Sequence, residues 1–208
     1  MMAPGLGDWL TDRLARRPSG ALGRMLYRNP VGHALSFRLA LERLELGPQD
    51  RLLEVGCGAG VFMEQALDSG CTAVALDHSA QMLAETRRRN ARAIAEGRLS
   101  LVESDAAQLG FERASYTKLA CLNAFFFMPD PVATLRGFAR VLAPGGRAVI
   151  FTAPPEMERM VRLAFGPIAR RMRFDSPEDL TGYATEAGFA RCDVHTVPKS
   201  GLLFTGYT

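Results

Sequence analysis

An α/β fold with a doubly wound, seven-stranded, mostly parallel sheet whose last strand runs antiparallel is what this sequence predicts. Three observations predict it. From about residue 50 short apolar runs alternate with amphipathic segments, the pattern of parallel strands joined by helical crossovers. The first apolar run ends in a cluster of glycines that leads straight into a helix. The last two apolar runs are separated only by Pro198–Gly201, a connection short enough for a hairpin.

Taken in order, Arg51–Val55 (RLLEV) reads as a buried strand. Val61–Ser69 follows as a helix with Phe62, Met63, Ala66 and Leu67 on one face and Gly70 at its C-terminal cap. Thr72–Leu76 is the second strand, Ser79 an N-cap, and Gln81–Glu96 a helix whose basic later turns face solvent. Leu99–Glu103 and Leu119–Asn123 give strands three and four. Asp130 and Pro131 occupy the first positions of a helix, as their chemistry favours, with Leu135, Phe138, Ala139 and Leu142 inward; Pro144, Gly145 and Gly146 stop it. Arg147–Thr152 is strand five, and Ser176, Pro177, Glu178 and Asp179 open a helix that ends at Gly188. Ala190–Thr196 and Leu202–Tyr207 complete the sheet.

Two segments fall outside the alternation. Residues 1–45 form an N-terminal helical segment and candidate lid, ahead of a main domain over residues 46–208; residues 154–175 form a short insertion. The insertion carries Met157, Met160, Val161, Leu163, Ala164 and Phe165 at helical spacing. Such stripes usually pack a core, but an insertion after a strand's C-terminal end borders the ligand crevice of an open α/β sheet, so a cap is the alternative.

Composition narrows the class. At 208 residues, 48% hydrophobic and 23% charged, the chain suits one ordinary globular domain. Cys57, Cys71, Cys121 and Cys192 are scattered without a CxxC pair or an adjacent histidine, so no metal site and no disulfide framework is expected, and a reducing, cytoplasmic setting fits. No apolar run reaches membrane-spanning length and the N-terminus lacks a signal-peptide core. Arg13, Arg16, Arg17, Arg24 and Arg28 make a basic arm, read as solvated, with an anionic substrate or RNA as the alternative.

The chemistry concentrates at strand ends. In LLEVGCGAG, Gly56, Gly58 and Gly60 let the backbone turn sharply and let a ligand approach main-chain N–H groups, with Glu54 two residues upstream. The spacing is G-x-G-x-G, and Val61 stands where a dinucleotide-binding turn would place its third glycine. Asp77 closes the second strand, where a carboxylate can accept two ribose hydroxyls, and Asp105 follows the third, where it could accept from an adenine amino group. Each acid alone reads equally well as a loop residue. The glycine turn and two acids at the C-terminal ends of three successive strands point to a nucleotide-like ligand.

LLEVGCGAG, VALDHS followed by Met82, ESDAAQL, CLNAFFFMPDP and RVLAPGGRAVIFT together resemble the class I S-adenosylmethionine-dependent methyltransferases. The likeness runs over about residues 45–208 and is to the small-molecule branch with the ubiquinone and menaquinone C-methyltransferases. It implies a Rossmann-like methyltransferase fold and S-adenosylmethionine as cofactor. Gly56, Cys57 and Gly58 would surround its methionine part, with Gly60 a further cofactor-binding candidate of the same turn; Asp77 would hold the ribose, and His78 and Met82 would flank the adenine. Asp105 and Ala106 would meet the adenine edge, Asn123 would lie under the sulfonium, and Glu54 would organise the loop and the amino group.

Two departures from the quinone enzymes stand out. Where those carry polar or histidine residues, this chain has Ala124, Phe125, Phe126, Phe127 and Met128 after Asn123, so Phe126 and Phe127 are candidates to bind an apolar or aromatic small-molecule acceptor. Around Tyr27, Arg28, Asn29, Pro30 and His33 the chain again differs, and Tyr27 or His33 would close the pocket. His33 is the candidate general base, because histidine titrates near neutrality without strong perturbation; a surface helix position is its plainer reading. His195 is read as structural. Arg173, with Arg170 and Arg171, is a candidate clamp for an acceptor carboxylate or phosphate, or else a favourable partner of a helix end.

The competing functions are a nicotinamide-dependent oxidoreductase on a related fold and a non-catalytic adenosyl-ligand binding module. No N/D-PP-Y-like tetrad follows the fourth strand, so nucleic acid is not an expected substrate.

Overall fold

The computed structural model describes residues 33–106 and 109–208. Its seven strands form one sheet in the order β3-β2-β1-β4-β5-β7-β6. They are β1 Arg51–Val55, β2 Thr72–Asp77, β3 Leu99–Glu103, β4 Tyr116–Leu122, β5 Leu142–Thr152, β6 Arg191–Val197 and β7 Gly201–Tyr207. The first five pair in parallel. β7 lies antiparallel between β5 and β6, so the expected terminal hairpin is present and its second strand inserts inward.

The helices are α1 Ala34–Leu44, α2 Val61–Ala66, α3 Ala80–Arg89, α4 Ala91–Ala95, α5 Pro131–Val141, α6 Glu158–Phe165 and α7 Pro177–Ala187. Neighbouring strand residues go to opposite layers, which explains the nearly unbroken apolar runs. Leu53, Leu119, Cys121 and Ile150 join Leu135 and Phe138 of α5 and Leu180 of α7. Leu52, Ala120, Leu122 and Val149 join Phe37 and Leu44 of α1, Phe62 and Met63 of α2 and Leu83 of α3. Both faces of the sheet are covered, as parallel sheets require.

The helix ends follow their local chemistry. Asp130 accepts from the Ala133 N–H with Pro131 in the first turn, and Ser176 and Asp179 form a reciprocal capping box. Gly70 and Gly188 adopt the left-handed conformation that terminates their helices.

Other boundaries differ from the sequence reading. The helix expected over 81–96 breaks at Asn90, whose carboxamide donates to the Gly60 and Thr86 carbonyls. Of its basic turns, Arg87, Arg88 and Arg92 are exposed as expected, whereas Arg89 turns inward to bond the Ala59 carbonyl and the Glu64 carboxylate. Helix α5 ends before Pro144, and Pro144–Gly146 lie inside β5, where the register with β4 shifts between Tyr116 and Lys118. α1 packs Phe37, Ala40 and Leu44 into the sheet core. No helix among the described residues is long and apolar enough to cross a membrane.

Phe138 is fully buried in the α5 layer. Phe138→Ala is expected to cost about 3–5 kcal/mol through lost transfer energy and a residual cavity, read as a lower midpoint with an unchanged slope in urea denaturation.

Candidate functional site

The sheet changes direction of travel at its centre: β2 and β3 lie to one side of β1, β4 and β5 to the other. Loops leaving β1 and β4 therefore diverge over a crevice at the strands' C-terminal ends, where open α/β sheets take ligands.

The loop after β1 is shaped by three positive-φ glycines, each constrained differently. Gly56 (φ 79°) supports close contact, since a Cβ there would lie 2.6 Å from that of Ala124. At Gly60 (φ 71°) a Cβ would strike Asn90 and Thr86 at 2.7 Å. At Gly58 (φ 53°) it would meet nothing within 4 Å, so this face of the loop is open. The N–H groups of Gly56 and Cys57 donate to the Leu76 carbonyl at 2.8 and 3.1 Å, pulling the loop onto β2. From α3 and its C-cap, Thr86 Oγ1 donates to the Gly58 carbonyl (2.8 Å), Arg89 Nε to that of Ala59 (3.2 Å) and Asn90 Nδ2 to that of Gly60 (3.1 Å). These three supporting residues carry no signal in the sequence beyond their place on a polar helix.

Asp77 ends β2 with both oxygens engaged. The Gly58 N–H donates to Oδ2 and the Ser79 N–H to Oδ1, each at 2.9 Å, and His78 Nδ1 lies 3.5 Å from Oδ1. Its carboxyl is still raised from the ordinary value, because burial outweighs those donors. Glu54 is 3% exposed and its Oε2 has no hydrogen-bond partner among the described residues. Burial, and then the Asp77 charge, pushes Glu54 well above its ordinary 4.5. The Cys57 thiol is pushed up by burial and by both acids. The floor of the crevice thus holds two buried acids with one Glu54 oxygen unpartnered among the described residues, a place suited to a cationic ligand group.

The remaining candidates are spread around this floor. Met82 is buried behind the Ser79 cap, and His78 is partly exposed with Nε2 buried and unpartnered among the described residues. Asp105 is exposed beyond β3, whereas Ala106 packs against the core. Asn123 follows β4 with φ 57°, its N–H on the Phe151 carbonyl and its carboxamide donating to Ser36 Oγ at 3.0 Å. Ser36 Oγ in turn donates to the His33 carbonyl at 2.8 Å, so the start of α1 is tied to the site by a residue the sequence reading did not single out. His33 stacks edge-on against Phe37 at 5.9 Å, and burial lowers its basicity from 6.5. Tyr27 and the arginines of the basic arm lie outside the described residues.

Phe126 and Phe127 are half-buried and meet edge-to-face at 4.7 Å, while Phe125 is core. Arg173 departs from the expected acceptor clamp. Its guanidinium is paired with Asp175 at 2.8 and 3.1 Å, bonds the Met128 carbonyl and covers the Phe125 ring, so its charge is satisfied within the fold.

Comparison with known proteins agrees with this layout. Residues 53–150 match the family model described as a methyltransferase domain. The demethylmenaquinone methyltransferase of Beutenbergia cavernae is 32% identical over 120 residues, covering 57% of this chain and 48% of that protein. The ubiquinone biosynthesis O-methyltransferase of Xanthomonas oryzae pv. oryzae is 30% identical over 104 residues, 49% and 42% of the two chains. The chain thus spans about half the length of these curated relatives. A chain of the Haloferax volcanii complex between the Trm112 methyltransferase activator and a methyltransferase superposes with TM-score 0.75 at 20% identity, over 100% of this chain and 99% of that one.

Because Glu54 holds its proton more tightly folded than unfolded, its contribution to stability is fully present below 4.5 and is lost as pH rises through the raised value. Ligand-free Glu54→Gln is therefore expected to melt higher than wild type at neutral pH, the difference closing as the pH falls to the ordinary carboxylate range, as thermal denaturation across pH will show.

Proposed function

We propose that this chain, whose residues 53–150 match the family model described as a methyltransferase domain, is of the class I S-adenosylmethionine-dependent type and transfers the methyl group of S-adenosylmethionine to a small apolar or aromatic acceptor. The observation that carries this reading is the buried Glu54–Asp77 pair beneath the open face of Gly58. At one end of that floor a Glu54 oxygen has no partner among the described residues, and the other end presents a carboxylate at a strand end. A ligand with an ammonium group and a ribose diol answers both needs.

In this reading Glu54 accepts from the amino group, Gly56, Cys57, Gly58 and Gly60 line the methionine part, and Asp77 accepts the ribose hydroxyls. His78 and Met82 flank the base, Asp105 and Ala106 border its edge, and Asn123 stands near the reacting end. S-adenosylmethionine, when bound, supplies a methyl group already activated on a sulfonium. What the chain must add is orientation of the acceptor and exclusion of water, which can supply much of the acceleration. Phe126 and Phe127 offer aromatic surface for that purpose. With a phenolic acceptor, His33 takes the leaving proton, and its lowered basicity keeps it neutral and able to accept.

Calorimetry with S-adenosylmethionine and its demethylated product, followed by product-mass screening against phenolic, quinone and lipid-like acceptors, tests the proposal; no binding of either cofactor form would end it. Gly58→Ala, which directs a methyl group into open space, should weaken binding at least about tenfold, or ~1.4 kcal/mol. Its stability should fall by only about 1–2 kcal/mol for the left-handed backbone. Gly60→Ala should cost more stability, because its methyl collides with Asn90 and Thr86.

For a phenolic acceptor the rate should drop on acidification with a midpoint below 6.5, and that limb should vanish in His33→Ala. A His33→Ala profile identical to wild type removes the base assignment.

A further inference from the structure

We propose that the outward face of α6, with the arginines around it, docks on the anionic headgroups of a membrane surface. Met160 and Leu163 are the large hydrophobic residues left exposed among the described residues, at 58% and 79%. They are three apart on one helix and so share a face, with exposed Ala164 beside them. Val161, buried on the other side, fixes the helix to the body of the protein. A single exposed apolar side chain needs no explanation, but the exposed set falling together on one short helix does.

The charge around this face selects the occupant. Residues 155–172 contain four arginines against two glutamates, in a chain whose net charge is +3. Arg159 and Arg170 are exposed, and Arg162 remains about half exposed while bonding Glu158 at 2.6 Å. Arginine stems can lie along an apolar surface with their guanidinium groups at phosphate level, so inserted Met160 and Leu163 and flanking arginines suit a lipid interface together. A second copy fits worse, since it would bring arginines against arginines over an apolar patch far smaller than a stable dimer buries.

The location gives the contact a use. The segment leaves β5 at Pro154 and returns where the Arg173 N–H donates to the Phe126 carbonyl at 2.9 Å, so it borders the aromatic turn after β4. Docking would bring that turn to the bilayer, although the docking itself does not depend on methyl transfer.

Co-sedimentation of the full chain with vesicles of phosphatidylcholine alone, and of equal parts phosphatidylcholine and phosphatidylglycerol, tests this. Binding is expected to the anionic vesicles only and to weaken as salt is raised. Met160→Glu/Leu163→Glu should reduce it at least about tenfold, and Arg159→Glu should reduce it further in low salt, both with the melting temperature unchanged. Absence of binding to anionic vesicles, or equal binding by the double variant, overturns the proposal. So does a lower melting temperature of that variant without lipid, which would mean the chain itself covers the face. A smaller oligomer for the variant than for wild type would assign the face to a second copy instead.

Discussion

The bridge made by Asp77 organises the rest of the site. One carboxylate oxygen takes the Gly58 N–H and the other the Ser79 N–H, joining the loop after β1 to the cap of α3. From that cap α3 runs back beneath the loop, where Thr86, Arg89 and Asn90 bond three successive loop carbonyls. Loop and helix therefore define each other's position. A positive-φ glycine turn is cheap to form yet gives no fixed shape by itself; here its N–H groups are held from the sheet side and its carbonyls from the helix side.

This arrangement places two carboxyls in the interior, which a purely structural core avoids. Burial of Glu54 with an oxygen unpartnered among the described residues, beside a buried Asp77, is unfavourable unless a proton or a cationic group compensates it. Well-packed layers on both faces of the sheet supply the stability that tolerates the cost. Local departures from optimal stability are expected where a fold is adapted to hold something else.

Much of the fold was legible because its signals are local. Alternation of Leu52 with Leu53 and of Ala120 with Cys121 encodes burial on two faces, and Asp130, Ser176, Gly70 and Gly188 mark helix ends within a few residues of themselves. The break at Asn90 was hidden because it depends on a carbonyl 30 residues away. Likewise the insertion of β7 between β5 and β6 is a choice between two partners that an apolar run cannot express. In the site, the glycines and Asp77 could be found from strand-end position. Ser36 could not, and Arg173, open in the sequence to a ligand clamp or a helix-end role, is held by the Met128 carbonyl and the Phe125 ring, partners remote in sequence.

The two ends of the crevice differ in kind, and the difference bears on the acceptor. On the β1–β2 side two acids are buried, and among the described residues one Glu54 oxygen lacks a hydrogen-bond partner. On the β4 side the chain removes charge: Asp175 neutralises Arg173, and Phe126 and Phe127 present partly exposed rings instead. Asn123 stands between them and, through Ser36, fixes the entry of α1 and the position of His33. A polar donor held against the acidic end and an apolar acceptor against the aromatic end would each be excluded from the other's place, since a charged group on the rings and an apolar group on the acids both lose solvation without a partner. On this ground the proposed selectivity for an apolar or aromatic acceptor belongs to the polarity gradient across the sheet edge and not to any one contacting side chain.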